Sequence, residues 1–377
     1  MMDIKNVKVL HKYIKEILKK NQRLIIKTGD IDGFTPPSVL VGQRGYPMVS
    51  IGILFSNDQN SHLYDNPKNW IINNYDVLKI FSLKSTLINA KMNFNIREVS
   101  NQKLEDIRLA TLSKTDVMIK LNVSKVYQSD LYKNVKIDSL KLNDNIKIDE
   151  PIEKVYYDKD LKAEDGVVFL YKNKIDENKI NKMMSVGAIG VERKIVPTKW
   201  SITAVDDIIT KNLIESIKLY DTDKFGVIHG GILGNIFTFL LIPGKWAFEL
   251  IEIWNNKGRL FIGGGDYELY YGRKGYAKNT AGGYYAARLA VTEKLNEIRK
   301  QYSVIAVREI TPEYILPLGV WVVRESARNA LKNQIVYFED MNKAIDYMNQ
   351  TMLYIKDIKS YSRLLNIIKT QRTLNEF

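Results

Sequence analysis

Apolar residues recur at two different spacings along this chain, and the change from one to the other marks out its elements. Between residues 281 and 302, Tyr284, Ala287, Val291, Leu295, Ile298 and Tyr302 fall three or four apart. That is the helical period, and it predicts one long amphipathic helix. A second helix is predicted over residues 203–220, with Thr203 as its cap and Asp206 three residues on, where an acid answers exposed amides. Strands are predicted over 235–242, 245–254 and 260–271, joined through Pro243 and Gly244 and through the turn at 256–258 as an antiparallel meander. Residues 304–310 read as another strand, and helices near 324–332, 339–352 and 356–369 follow.

The first half is patterned less strongly. Residues 2–21 read as a basic helix with Val9, Tyr13, Ile17 and Leu18 at helical spacing. Gly, Pro and Val over residues 34–53 predict loops joining short strands, residues 65–114 read as helical in pieces, and 116–123 and 167–171 are short alternating runs. The expected fold class is α+β, with a largely antiparallel or mixed sheet packed by helices in the second half. The expected organisation is a basic helix over 1–30, an α+β region over 31–185, an α+β core over 186–369 and a short flexible tail over 370–377.

Composition narrows the chemistry. Cysteine is absent among the 377 residues, so disulfides, thiolate zinc sites, iron–sulfur clusters and a cysteine nucleophile are excluded. His11, His62 and His229 are widely separated, which gives no histidine-built site. The longest apolar run, 236–242, interrupted by Thr238, is far short of the ~20 residues of a membrane-spanning helix. No membrane span is expected, and nothing resembles a signal peptide, so a cytoplasmic protein is expected.

The formal charge is +13, and it is clustered. Residues 1–29 carry eight Lys or Arg against two acids, and residues 257–308 carry ten against four. Clustered positive charge of this kind attracts phosphate-rich polymers. Residues 136–180 hold eleven acids against nine bases and are not expected to face nucleic acid.

The candidate chemistry lies mainly between residues 263 and 288. Asp266, Glu268 and Tyr270 share one strand face, with the two carboxylates about 6.8 Å apart along the strand, a spacing that suits the flanks of one divalent ion. Arg273, Lys274, Tyr276 and Lys278 follow, then Gly282 and Gly283 at a helix start suited to phosphate, then Arg288. Cations interleaved with tyrosines suit a nucleic-acid strand. Glu249 and Glu252 each stand in an otherwise apolar strand row, which demands a partner. Glu192, Arg193, Lys194, Lys199 and Trp200 form a second basic and aromatic cluster. Gly230, Gly231 and Gly234 lack the context of a dinucleotide fingerprint, and there is no phosphate-loop lysine.

The last residues carry a different signal. Gln371, Leu374 and Phe377 recur every three residues, so in a 3₁₀ turn they form one anchor face, the design of a sliding-clamp-binding peptide.

Residues 186–207 (VGAIGVERKIVPTKWSITAVDD), 265–288 (GDYELYYGRKGYAKNTAGGYYAAR) and 308–328 (REITPEYILPLGVWVVRESAR) resemble the archaeal Nre family of DNA-repair proteins. So do residues 34–52, with PPSVLVG and GYP. The resemblance implies a role in DNA repair and a C-terminal PCNA-interacting motif at Gln371, Leu374 and Phe377. The cysteine-rich N-terminus frequent in the family has no counterpart here, so no zinc is expected, and the motif ends in one aromatic where many clamp peptides have two.

The leading expectation is a factor that binds DNA through Arg193, Lys194, Lys199, Arg273, Lys274, Lys278 and Arg288 and is delivered by PCNA. The alternative is a metal-dependent nuclease with Asp266, Glu268 and Glu249 as catalytic groups and Mg2+ or Mn2+ as cofactor.

Overall fold

The computed structural model describes residues 27–98, 100–127, 133–256 and 259–374, together with residue 16. The basic helix expected over residues 2–21 therefore falls, apart from Glu16, outside the described residues. The chain divides into two compact units that meet in sequence at Ile208 and Ile209.

The first unit is built on a six-stranded sheet. Its strands are β1 (Gly29–Thr35), β2 (Val39–Val41), β3 (Met48–Phe55), β4 (Ile88–Asn95), β5 (Val117–Tyr127) and β6 (Lys133–Leu142), in the spatial order β1-β5-β6-β4-β3-β2. All neighbours are antiparallel except β4 and β6. Alternation explains which face is core: Val49, Ile51 and Ile53 of β3, Ile119 and Leu121 of β5, and Val135 and Ile137 of β6 are buried, while Lys120 and Lys136 between them are exposed.

Among the described residues six α-helices lie wholly within this unit: α1 (Pro67–Ile72), α2 (Val77–Thr86), α3 (Gln102–Leu112), α4 (Glu150–Tyr157), α5 (Ala163–Lys172) and α6 (Glu177–Ser185). The strand β4 lies inside the stretch read as helical, although its sequence alternates strictly, Ile88, Ala90, Met92 and Phe94 with Asn89, Lys91, Asn93 and Asn95. The reverse error occurs at 167–171, an alternating run that lies within α5. Val167 and Leu170 there are buried at helical spacing.

On α6, Lys182 pairs with the buried Asp65 at 2.8 Å and Lys84 stands 4.0 Å from it, holding that carboxyl below its ordinary range against the cost of burial. Lys179 donates to the Ser113 carbonyl at 2.6 Å, and burial aided by the charge of Lys182 lowers its ammonium to about 7.

Helix α7 (Thr198–Ile217) carries the chain from one unit to the next. It starts five residues before the predicted cap. Thr203 is inside the helix and its hydroxyl donates back to the Trp200 carbonyl at 2.9 Å, and Asp206 is buried in mid-helix instead of serving the first turn.

The second unit holds the other six-stranded sheet. Its strands are β7 (Phe225–Ile232), β8 (Asn235–Pro243), β9 (Ala247–Asn256), β10 (Arg259–Glu268), β11 (Tyr302–Ile310) and β12 (Val336–Phe338), ordered β10-β9-β11-β8-β7-β12. The glycine-rich segment after His229 is the β7–β8 hairpin, where Leu233 and Gly234 both take positive φ, 52° and 71°, as a two-residue turn of matching twist requires.

The predicted meander is only partly formed. β9 and β10 pair antiparallel, but β8 and β9 are not neighbours: β11 lies between them, antiparallel to β8 and parallel to β9. The reason is visible in β11 itself, YSVIAVREI, whose nine residues are all buried. Such a strand gains most at the centre of a sheet covered on both faces.

Helices α8 (Gly282–Ile298), α9 (Trp321–Leu331), α10 (Met341–Thr351) and α11 (Arg363–Leu374) cover the sheet. On one face Phe237, Phe239, Phe248, Leu250, Val304 and Ala306 pack with Tyr284, Ala287, Val291 and Leu295 of α8 and with Val323 and Ala327 of α9. On the other, Leu240, Ile251, Ile253, Ile305 and Val307 pack with Ile345 and Met348 of α10 and Leu364 and Leu365 of α11. Each large apolar side chain so buried contributes about 1.5–3 kcal/mol. Tyr302, the last member of the predicted helical seam, instead begins β11. No helix among the described residues is long and apolar enough to cross a membrane.

Candidate nucleic-acid interface

β10 is an edge strand, and it changes register between Ile262 and Gly265, where Gly264 takes φ 77°. Beyond that irregularity Asp266 and Glu268 turn inward. Asp266 is buried and accepts from the backbone amides of Asn279 at 2.8 Å and Thr280 at 2.7 Å, from the Thr280 hydroxyl at 3.0 Å and from Arg273 at 3.0 Å. Arg273 in turn donates to the Tyr267 carbonyl at 2.7 Å and the Gly275 carbonyl at 3.2 Å. Residues 266–280 are thus drawn into a closed loop by one carboxylate, and charge-assisted bonds of this kind are the strong ones.

Ala277 of the loop is buried in the core, and several of the other side chains are left outside. Tyr271 is 94% exposed, Tyr276 is 46% exposed, and Lys274 and Lys278 are exposed. Tyr276 stacks on Tyr285 at 5.3 Å and Tyr270 meets Tyr271 edge-on at 5.3 Å. Two cations that sequence reasoning missed, Lys218 and Lys245, lie 4.9 and 5.7 Å from the Tyr270 ring. They come from the residue after α7 and from the β8–β9 connection, distant in sequence, and no local pattern points to them.

Glu268 has a different role from the one its spacing suggests. It pairs with Arg288 at 2.5 Å and accepts from the Trp246 indole at 3.0 Å, all three being buried. Arg288, expected on the DNA surface, is 3% exposed and lies against the rings of Tyr284 and Tyr285, each 5.4 Å away. Helical geometry explains it: α8 turns residue 288 toward the sheet, one turn after Tyr284. Burial, and then the neighbouring Glu268, push the Tyr284 hydroxyl well above its ordinary value.

Glu252 is the register partner of Arg308 and pairs with it at 2.5 Å. Its Oε1 lies 2.6 Å from where a β-carbon on Gly283 would stand, so the start of α8 is occupied by a carboxylate of the protein itself and is not open for phosphate. Glu249, on the opposite face, accepts from the amides of Arg363 at 3.0 Å and Leu364 at 3.2 Å and from the Ser362 hydroxyl, and burial raises its carboxyl. Asp266, Glu268 and Glu249 therefore serve three separate donor sets. Among the described residues no group of three or more His, Cys, Asp or Glu side chains is placed to hold a metal ion. The geometry lends no support to the nuclease reading.

In the first unit the second basic cluster is mixed. Lys194 pairs with Glu192, and Arg193 turns back to donate to the carbonyls of Tyr156 and Asp158 with its guanidinium 4.9 Å over the Tyr156 ring. Lys199 is exposed, as is Trp200, whose ring lies 5.5 Å from Tyr46. At the other end of the chain, α11 reaches Leu374, so its helical backbone runs on into the tail expected from residue 370. The side chains of Gln371 and Leu374, and all of Phe377, lie outside the described residues.

Comparison with known proteins covers nearly the whole chain. Family models described as archaeal Nre, N-terminal, and archaeal Nre, C-terminal, match residues 7–259 and 268–377. DNA repair protein NreA of Archaeoglobus fulgidus is 34% identical over 353 residues, 89% of this chain and 86% of the relative. DNA repair protein NreB of the same organism is 31% identical over 368 residues, 92% of each. DNA repair protein NreA of Haloferax volcanii is 29% identical over 366 residues, 90% of this chain and 87% of the relative. No solved structure matches.

Proposed function

The chain belongs to the archaeal Nre family, and from that premise we propose that it is a DNA-repair factor that binds DNA and is recruited by the PCNA clamp. The observation that carries the DNA-binding part is the loop closed on Asp266, which leaves Tyr271, Lys274, Tyr276 and Lys278 facing solvent. Cations carried on this loop suit phosphates, and its exposed rings suit bases. Lys199 and Trp200 form a smaller surface of the same chemistry in the first unit. Arg273, partly exposed, and Arg288, buried, are engaged by carboxylates of the protein: the first positions the loop, and the second fixes α8 to the sheet. Recruitment rests on the spacing of Gln371, Leu374 and Phe377.

The test is the double variant Lys274→Glu and Lys278→Glu assayed on duplex DNA over a range of salt. Binding should weaken, and the slope of log affinity against log salt should fall by about 0.9 for each phosphate that is no longer neutralised. Unaltered affinity and slope would remove this loop from the interface.

A further inference from the structure

We propose that the open face of the first sheet is a separate binding site for single-stranded nucleic acid, held by its phosphates on a row of three lysines. The row is set by strand register: Lys91 on β4 is paired with Lys136 on β6, and Lys136 with Lys125 on β5. Neighbouring strands are about 4.8 Å apart, so the backbone positions of the three lysines stand in line over about 10 Å, and the Lys125 ammonium lies 5.2 Å from the Tyr127 ring. Like charges directly opposite one another on a sheet face destabilise it. Elsewhere on β5 the fold answers its lysine with an acid, Lys120 with Asp30 at 3.0 Å. Among the described residues no carboxylate lies within 4 Å of the nitrogens of Lys91, Lys125 or Lys136.

The surroundings are those of a ligand site. Lys91, Lys136 and Lys103 line an open cleft of about 740 Å³ together with Asn93, Asn134 and Tyr127. The acid that lines the cleft, Asp138, is engaged at its carboxylate by the Ser124 hydroxyl at 3.0 Å and at its carbonyl by Lys103 at 2.8 Å. In the neighbouring register rows Asn89 is only 5% exposed and gives its amide to Asn134 at 3.1 Å, while its Oδ1 is buried without a partner. A buried acceptor left unmet is costly and marks a place where a donor is wanted. Burial also holds the Lys91 ammonium below its ordinary value, a cost that a bound anion reverses.

The same features choose the ligand. One small oxyanion cannot engage cations spread over about 10 Å, whereas successive phosphates of a strand can. Tyr127 is 41% exposed beside the row, a ring next to the Lys125 ammonium on which one base can stack, and the exposed Asn93 amide offers a donor and an acceptor to base edges. One member of the row, Lys136, lies in the stretch from which net acidity argued against nucleic acid: of the acids of residues 136–180 only Asp138 stands on β6, and the others follow from Asp144 onward.

The experiment uses the full chain and its Lys91→Gln and Lys136→Gln double variant, with fluorescently labelled oligo(dT) as probe. With two phosphates no longer neutralised, the slope of log affinity against log salt falls by about 1.4, and the advantage of the unmodified protein shrinks about sevenfold between 50 and 200 mM salt. The melting temperature of the unliganded variant should be equal or higher, because repulsion has been relieved. Unchanged affinity and slope, or a lower melting temperature with binding intact, overturns the proposal by assigning the lysines to the fold. Displacement of oligo(dT) by equimolar pyrophosphate, or equal weakening for duplex and single strand, also overturns it. The Lys274→Glu and Lys278→Glu variant run alongside reports on the other surface, so failure of one site is distinguishable from failure of the other.

Discussion

A carboxylate in an apolar sheet face persists only where protein donors replace its lost water. Asp266, Glu249 and Glu309 meet that demand largely with backbone amides, those of Asn279 and Thr280, of Arg363 and Leu364, and of Leu353 and Tyr354. Glu252 and Glu268 meet it with arginines. Lys179 is the converse case, a cation whose burial outweighs its partners and lowers it to about 7 from an unfolded value near 10.5. Between those two values the unfolded chain binds the extra proton, so this group's penalty fades and stability rises as pH increases. Chemical denaturation at pH 7 and pH 9 should show a rise for the unmodified chain that Lys179→Met lacks; parallel behaviour of the two would refute the assignment.

At the scale of elements, Glu249 fastens α11 to the sheet through the first turn of that helix. Glu249→Ala leaves a hydroxyl and two amides without their acceptor at about 1–3 kcal/mol each if unmet, and we expect a total destabilisation of roughly 3 kcal/mol. Hydrogen exchange should show protection falling first in residues 363–374; a uniform change along the chain would contradict this anchoring. Much of this layer was legible beforehand. The helical period of 281–302 and the strand at 304–310 both lie close to the elements formed. The place of β11 between β8 and β9 was not, because sequence neighbours are the default partners and only total burial of a strand argues for the centre. For the site, the exposed Lys274, Tyr276 and Lys278 were legible from their spacing. The inward turn of Arg288 was not, since a cation one helical turn from a glycine pair reads equally well as surface or as partner to a buried Glu268. The lysine row of the first sheet depends on register between strands that are distant in sequence, which no local pattern contains.

For the molecule as a whole, the proposed function makes delivery and binding separable. The net charge of +13 acts on any DNA, whereas a clamp peptide raises local concentration without touching DNA itself. Leu374→Ala with Phe377→Ala should leave affinity for naked DNA unaltered and abolish association with PCNA, and retention on clamp-loaded DNA should fall by about 100-fold or more. Association that survives both substitutions would move the clamp-binding segment elsewhere. The strand order of the second sheet has its own consequence during synthesis. β8 and β9 leave the ribosome before the strand that joins them, since β11 begins at Tyr302, 46 residues after β9 ends at Asn256. At roughly 5–20 residues per second their facing edges remain unpaired for several seconds, an interval in which the nascent chain exposes two apolar strand edges to any neighbour.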